Sequence, residues 1–89
     1  MNRITFFTRP DCQLCDAALF VIRKVAASQG GVELRVVDID QPGDRRWADE
    51  YNEHVPVVHL NGREIFRHRV DETVLRRLLR GALHPGLPD

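Results

Sequence analysis

Cys12 and Cys15 are the only two cysteines in this 89-residue chain, with Gln13 and Leu14 between them. An apolar run of strand character, Ile4-Thr5-Phe6-Phe7-Thr8, precedes them, and Leu14 to Ala27 repeats apolar residues at helical spacing. A Cys-x-x-Cys at a strand-to-helix junction sets its first sulfur among the unpaired N–H groups of a helix start, where the helix dipole favours a thiolate. The second sulfur lies about one helical turn further on, within reach of a small disulfide ring. The chemistry of that pattern is a dithiol/disulfide couple. A purely structural role for two reduced, buried cysteines fits poorly, because an exposed helix start is a poor place to bury both.

Metal binding is the competing use of such a pair. His54 and His59 are available, but there is no second C-x-x-C and no H-x-x-x-H. A structural zinc takes four ligands, so no metal site is expected within one chain. Two cysteines this close in sequence cannot staple distant segments, which argues against a secreted disulfide scaffold. Thirteen basic and thirteen acidic side chains cancel, so no general nucleic-acid footprint is expected. The charges are nevertheless segregated. Residues 33–53 are mostly acidic (Glu33, Asp38, Asp40, Asp44, Asp49, Glu50, Glu53), and residues 63–80 mostly basic (Arg63, Arg67, Arg69, Arg76, Arg77, Arg80). Two solvated faces account for this simply; a bias toward an anionic partner near the C-terminal half is the sharper reading. No signal peptide and no apolar run of about 20 residues is visible, so a soluble cytoplasmic protein with no membrane contact is expected.

The elements that must position the cysteines follow from periodicity. Arg3 to Thr8 reads as a strand ended by Arg9-Pro10-Asp11. A helix then buries Leu14, Ala17, Ala18, Val21, Ile22 and Val25 and stops at Gly30-Gly31. Val32 to Ile39 is a second strand, in which Val32, Leu34 and Val36 alternate before Val37 breaks the pattern. After the Pro42-Gly43 turn, Asp44 can cap a short helix whose apolar face is Trp47, Ala48 and Tyr51. Pro56 opens a third strand, Asn61-Gly62 makes a hairpin, and Arg63 to Arg67 returns. Asp71 can cap a last helix with Val74, Leu75, Leu78 and Leu79 inward and Gly81 at its end. The order βαβαββα predicts an α/β fold: a four-stranded mixed sheet, first pair parallel and last pair antiparallel, with helices on both faces. Residues 1–83 form one domain and 84–89 a short tail.

Thr8-Arg9-Pro10-Asp11-Cys12-Gln13-Leu14-Cys15, Val55-Pro56-Val57-Val58 and the Asn61-Gly62 hairpin, in this order, resemble the glutaredoxin-like proteins of the thioredoxin superfamily. The similarity covers residues 3–81, and Val37-Asp38-Ile39-Asp40 matches a small C-x-L-C subgroup. It implies the thioredoxin/glutaredoxin-like fold, with Cys12 as nucleophile and Cys15 as the resolving thiol. Arg9 stands where such proteins carry a basic residue, which implies a substrate-binding residue and a cation near Cys12, while Asp11 and Asp16 oppose a thiolate. On element order alone Pro56 reads as an ordinary trans proline starting a strand; the resemblance makes Val55–Pro56 cis and places it beside the sulfurs. Val55 backbone groups would then meet a substrate backbone.

The chain departs from the family pattern at Phe66-Arg67-His68-Arg69-Val70-Asp71, where glutathione users carry Gly-Gly and an acidic residue. Asp71 remains as a contact or a helix cap, and β-carbons occupy the glycines' place. The expected activity is thiol-disulfide exchange on protein or small-thiol disulfides by a monomer. No bound cofactor is required, and glutathione is one candidate reductant. A redox-sensing or protein-binding adaptor using the Pro56 groove, and an iron–sulfur cluster carrier bridging two chains, are the alternative functions.

Overall fold

A computed structural model describes residues 1–82 of the chain. The strands are β1 (Asn2–Thr8), β2 (Val32–Asp38), β3 (Val57–Leu60) and β4 (Arg63–Arg67); the helices are α1 (Gln13–Gln29), α2 (Arg45–Tyr51) and α3 (Glu72–Ala82). The sheet order is β2-β1-β3-β4. β1 runs parallel to β2, with Phe6 opposite Val36, and antiparallel to β3, with Phe6 opposite Val58. β3 and β4 are antiparallel, with an irregularity between Val58 and His59. The C-terminal ends of β1 and β2 and the N-terminal end of β3 therefore meet at one end of the sheet, and the Cys-x-x-Cys sits there.

Side-chain alternation divides β1 between two cores. Ile4 and Phe6 are fully buried on one face. Phe7, buried on the other, packs against Trp47 and Tyr51 of α2 at ring-centroid distances of 4.8 and 5.1 Å. α1 and α3 pack together, tied by Lys24–Glu72 (2.9 Å) and by Arg76 donating to Ser28 Oγ (3.3 Å), while Arg76 also pairs with Glu72 of its own helix (3.0 Å). Thus α2 covers the face opposite the α1–α3 pair. At the hairpin, Asn61 and Gly62 both have positive φ, 51° and 87°. The Asn61 carboxamide also accepts from Arg3 N and donates to Asn2 Oδ1.

Several local expectations are corrected. The inward stripe of α1 is Cys15, Ala18, Ile22 and Val25, whereas Leu14 is 43% exposed and Ala17 lies outside. Cys15, Ala18, Ile22 and Val25 share one three-and-four spaced stripe, and it is this stripe that packs on the sheet. In β2 it is Val37 that is buried and Val36 that is exposed, because an outer strand is covered unevenly on its two faces. Asp44 ends a 3-10 turn (Pro42–Asp44) and precedes α2, but its side chain makes no capping bond. Gly81 does not end α3, which continues to Ala82. Val74 is 36% exposed, so the buried positions of α3 are Leu75 and Leu79. The domain boundary at residue 83 and the tail 84–89 lie outside the described residues.

Candidate active site

Cys12 occupies the N-cap of α1, with extended backbone at φ −116° and ψ 103°. Its Sγ accepts a hydrogen bond from the Cys15 amide at 3.1 Å, and its carbonyl accepts from the Asp16 amide at 3.0 Å. The sulfur thus takes the place that an oxygen fills in an ordinary capping residue. That N–H, and the positive end of a 17-residue helix, lie against the atom that carries negative charge when the thiol ionises. Cys12 and Cys15 are joined as a disulfide, with Cα atoms 5.2 Å apart. The two sulfurs are not equivalent. Cys12 is partly exposed, whereas Cys15 is 1% exposed and belongs to the core. Asp11, just before the pair, has φ 56°, a left-handed turn that lets the chain swing from β1 into the helix start.

Arg9 does not project toward this sulfur pair as a free cation. Its guanidinium binds both carboxylate oxygens of Asp40, through Nε at 3.2 Å and Nη2 at 2.9 Å. It also donates to the Asn52 carbonyl (2.6 Å) and the Asn52 Oδ1 (3.1 Å). The hydrogen bonds from Arg9 hold the Asp40 carboxyl below its usual range, and the bond to Asp40 in turn raises Arg9.

The Val55–Pro56 peptide bond is cis, and both residues are buried. The Pro56 carbonyl accepts from the His68 amide at 2.7 Å, fixing the start of the β4–α3 loop against the start of β3. His68 itself has φ 74°. Asp71 is the cap of α3: its Oδ1 accepts from Val74 N at 2.9 Å and its carbonyl accepts from Leu75 N. Between Leu14, Ala17 and Val21 of α1 and His68, Arg69 and Val70 of the loop runs a shallow groove of about 120 Å³, open beside the Cys-x-x-Cys.

Two side-chain pairs were not legible in the linear order. His54 Nδ1 and His68 Nε2 lie 3.1 Å apart, joining the segment before Pro56 to the β4–α3 loop. Tyr51 OH and His59 Nε2 are 2.9 Å apart beneath α2. Burial lowers the His59 pKa and raises that of Tyr51, so both groups are uncharged near neutral pH. Among the described residues no group of three or more His, Cys, Asp or Glu side chains converges to hold a metal. Nor, among them, is any helix long and apolar enough to cross a membrane.

Comparison with known proteins agrees with this geometry. Residues 3–80 match the profile of the family described as Glutaredoxin-like domain (DUF836). A glutaredoxin-like protein of Dictyostelium discoideum is 33% identical over 75 residues, spanning 81% of this chain and 69% of that protein. A structural-genomics target protein from X. campestris superposes with a TM-score of 0.69 at 30% identity, over 88% of this chain and 96% of that one. The oxidised mitochondrial thioredoxin 3 of Saccharomyces cerevisiae gives a TM-score of 0.66 over 90% of this chain and 77% of that one; at 17% identity it shares the fold alone.

Proposed function

Since this chain belongs to the glutaredoxin-like (DUF836) family, we propose that it is a thiol-disulfide oxidoreductase working through Cys12 and Cys15 on protein or small-thiol disulfides. One observation carries the reading: the partly exposed Cys12 sulfur sits on the Cys15 amide at a helix start, while Cys15 is shielded behind it. In the reduced protein the Cys12 thiolate attacks one sulfur of a substrate disulfide. The substrate S–S bond breaks, its other half leaves as a thiolate, and Cys12 holds the first half as a mixed disulfide. Cys15 loses its proton to solvent or to the departing thiolate and attacks Cys12 Sγ. That step releases the second substrate thiolate and closes the Cys12–Cys15 disulfide. Two electrons pass from the dithiol to the substrate, and an external thiol reductant, glutathione or a protein dithiol, restores the pair.

Val55 and Pro56 form the ledge along which we propose a substrate backbone lies, with the groove of Leu14, His68 and Arg69 taking the flanking group. Arg9 makes four hydrogen bonds to Asp40 and Asn52, and Asp71 Oδ1 accepts from the Val74 amide. A reducing compartment such as the cytoplasm is where this couple would act as a reductant.

Disulfide reduction by the intact protein, coupled to an excess of thiol reductant, tests the reading. Cys12→Ser removes the attacking atom and should abolish turnover. Cys15→Ser should still attack and should accumulate a mixed disulfide visible by mass. Full activity in Cys12→Ser, or no turnover by the intact protein with either reductant, overturns the assignment.

A further inference from the structure

The geometry points to Arg9 as a positioning residue that locks three loops of the site together, rather than as a contact for an anionic substrate; this rests on the oxidoreductase reading above. β1 lies between β2 and β3, so the loops leaving β1 and β2 and the loop entering β3 converge at one end of the sheet. Arg9 stands in the first, three residues before Cys12. Asp40 stands in the second, and Asn52 in the third, four residues before Pro56. A single guanidinium spans all three through four hydrogen bonds of 2.6–3.2 Å.

Its partners are themselves held. The Asp40 amide donates to Asp38 Oδ1 (2.9 Å), and the neighbouring Ile39 amide donates to the Thr8 carbonyl (2.9 Å), one residue from Arg9. Asn52 ends α2, and the turn beyond it is closed by the His54 amide on the Tyr51 carbonyl at 2.8 Å. The fork therefore joins fixed points, and its loss releases the helix start and the Val55–Pro56 ledge relative to each other.

Chemistry separates this role from a charge contact. A guanidinium has five N–H groups in a planar fork, and four bonds leave one for any ligand. Its charge is already matched by the Asp40 carboxylate at 2.9 Å, so an incoming anion meets a dipole instead of a free cation. An ordinary exposed ion pair adds little net stability and would matter little. Here the fork is bidentate and also satisfies a backbone carbonyl, a pattern an ammonium cannot reproduce.

The experiment compares Arg9→Lys, Arg9→Gln, Asp40→Asn and the Arg9→Gln/Asp40→Asn double variant. Turnover is measured on glutathione disulfide, which is anionic, and on bis(2-hydroxyethyl) disulfide, which is uncharged. Arg9→Lys and Asp40→Asn are each expected to lower kcat several-fold on both substrates, with KM changed less than twofold and the double variant no worse than the worse single. Arg76→Met breaks the α1–α3 network far from the site and controls for loss of stability; it should keep kcat. A second arm needs no turnover: in the oxidised protein, Asp40→Asn should speed hydrogen exchange at the His54 amide, in the loop entering β3, and at the Asp16 amide, in the first turn of α1 after the Arg9 loop. Wild-type kcat in Arg9→Lys, with Arg9→Gln raising KM only for glutathione disulfide, overturns the proposal in favour of a charge contact. Unchanged exchange in Asp40→Asn also overturns it. If wild type turns over neither disulfide, the oxidoreductase reading falls, and the exchange arm alone decides whether the loops are coupled.

Discussion

Replacing Tyr51 with Phe removes one hydroxyl and leaves the ring. That ring is 4% exposed, stacks on Trp47 (5.6 Å, 8° between planes) and tilts against Phe7 at 5.1 Å, so no cavity opens. What disappears is the 2.9 Å bond to His59 Nε2. A hydrogen bond between neutral groups contributes about 0.5–1.5 kcal/mol net, and an orphaned partner adds a desolvation penalty of about 1–3 kcal/mol when it is fully shut from water. His59 is only half-buried, so solvent relieves most of that penalty. The expected cost is about 1–2 kcal/mol, equivalent to a fall in Tm of roughly 5–10 °C for a domain of this size. Guanidinium unfolding followed by Trp47 fluorescence reads this directly, and the m-value should not move because the same surface is exposed. Tyr51→Ala, which also deletes the ring contacts, should cost about 3–5 kcal/mol. An unchanged midpoint for Tyr51→Phe, or equal losses for the two variants, refutes the division of labour between hydroxyl and ring.

The hairpin and the half-buried histidine give two more expectations. Gly62 has φ 87°, and a β-carbon added there meets nothing within 4 Å, so Gly62→Ala should cost about 1–2 kcal/mol from backbone conformation alone. Gly62→Asn should cost less, and equal Tm values for the Ala variant and the parent would remove the argument. His59 is held below its ordinary value of 6.5 by burial, so the unfolded chain binds its proton first as the solution is acidified. The neutral ring's contribution is therefore complete above about pH 6.5 and is lost as pH falls from there through the lower folded value. Tm measured from pH 7.5 to 5 should decline more steeply for the parent than for His59→Gln; parallel curves would show that another group governs the slope.

The architecture was legible where sequence carries local physics. The junction of Phe6-Phe7-Thr8 with Cys12 marked the site because apolar alternation and helical spacing change over within a few residues. Val55-Pro56, Asn61-Gly62 and Asp71 each punctuate an element by backbone restriction or capping, and each stands at the start of β3, in the hairpin and at the start of α3. The face of α1 was misread because Leu14 and Ala17 fit the same period as Ala18 and Ile22. Only packing against the sheet decides that Cys15 turns inward instead. Gly81 looked like a stop, but α3 runs one residue past it, to Ala82, with the turns before it anchored by Leu75 and Leu79. The Arg9 fork and the His54–His68 pair were invisible for another reason. The partners of Arg9 lie 31 and 43 residues on and reach it because β1 takes the middle of the sheet, whereas His54 and His68 flank β3 and β4 and meet through side-chain geometry at the open end of that hairpin.

The order β2-β1-β3-β4 leaves two strands each with one row of backbone N–H and C=O groups facing outward, a template onto which a foreign strand can add. Charge guards both rows. β2 carries Glu33 and Arg35 among its apolar residues, with Glu33 held by Arg3 at 3.2 Å. β4 carries Arg63, Glu64 and Arg67, the last two locked together at 2.8 Å. A neighbouring chain docking in register would have to strip water from these groups or break their pairs. The charges on β2 and β4 therefore oppose strand addition at either open side of the sheet. Neutralising β4 with Arg63→Val and Arg67→Val would show the same thing in reverse, as aggregation that depends on protein concentration.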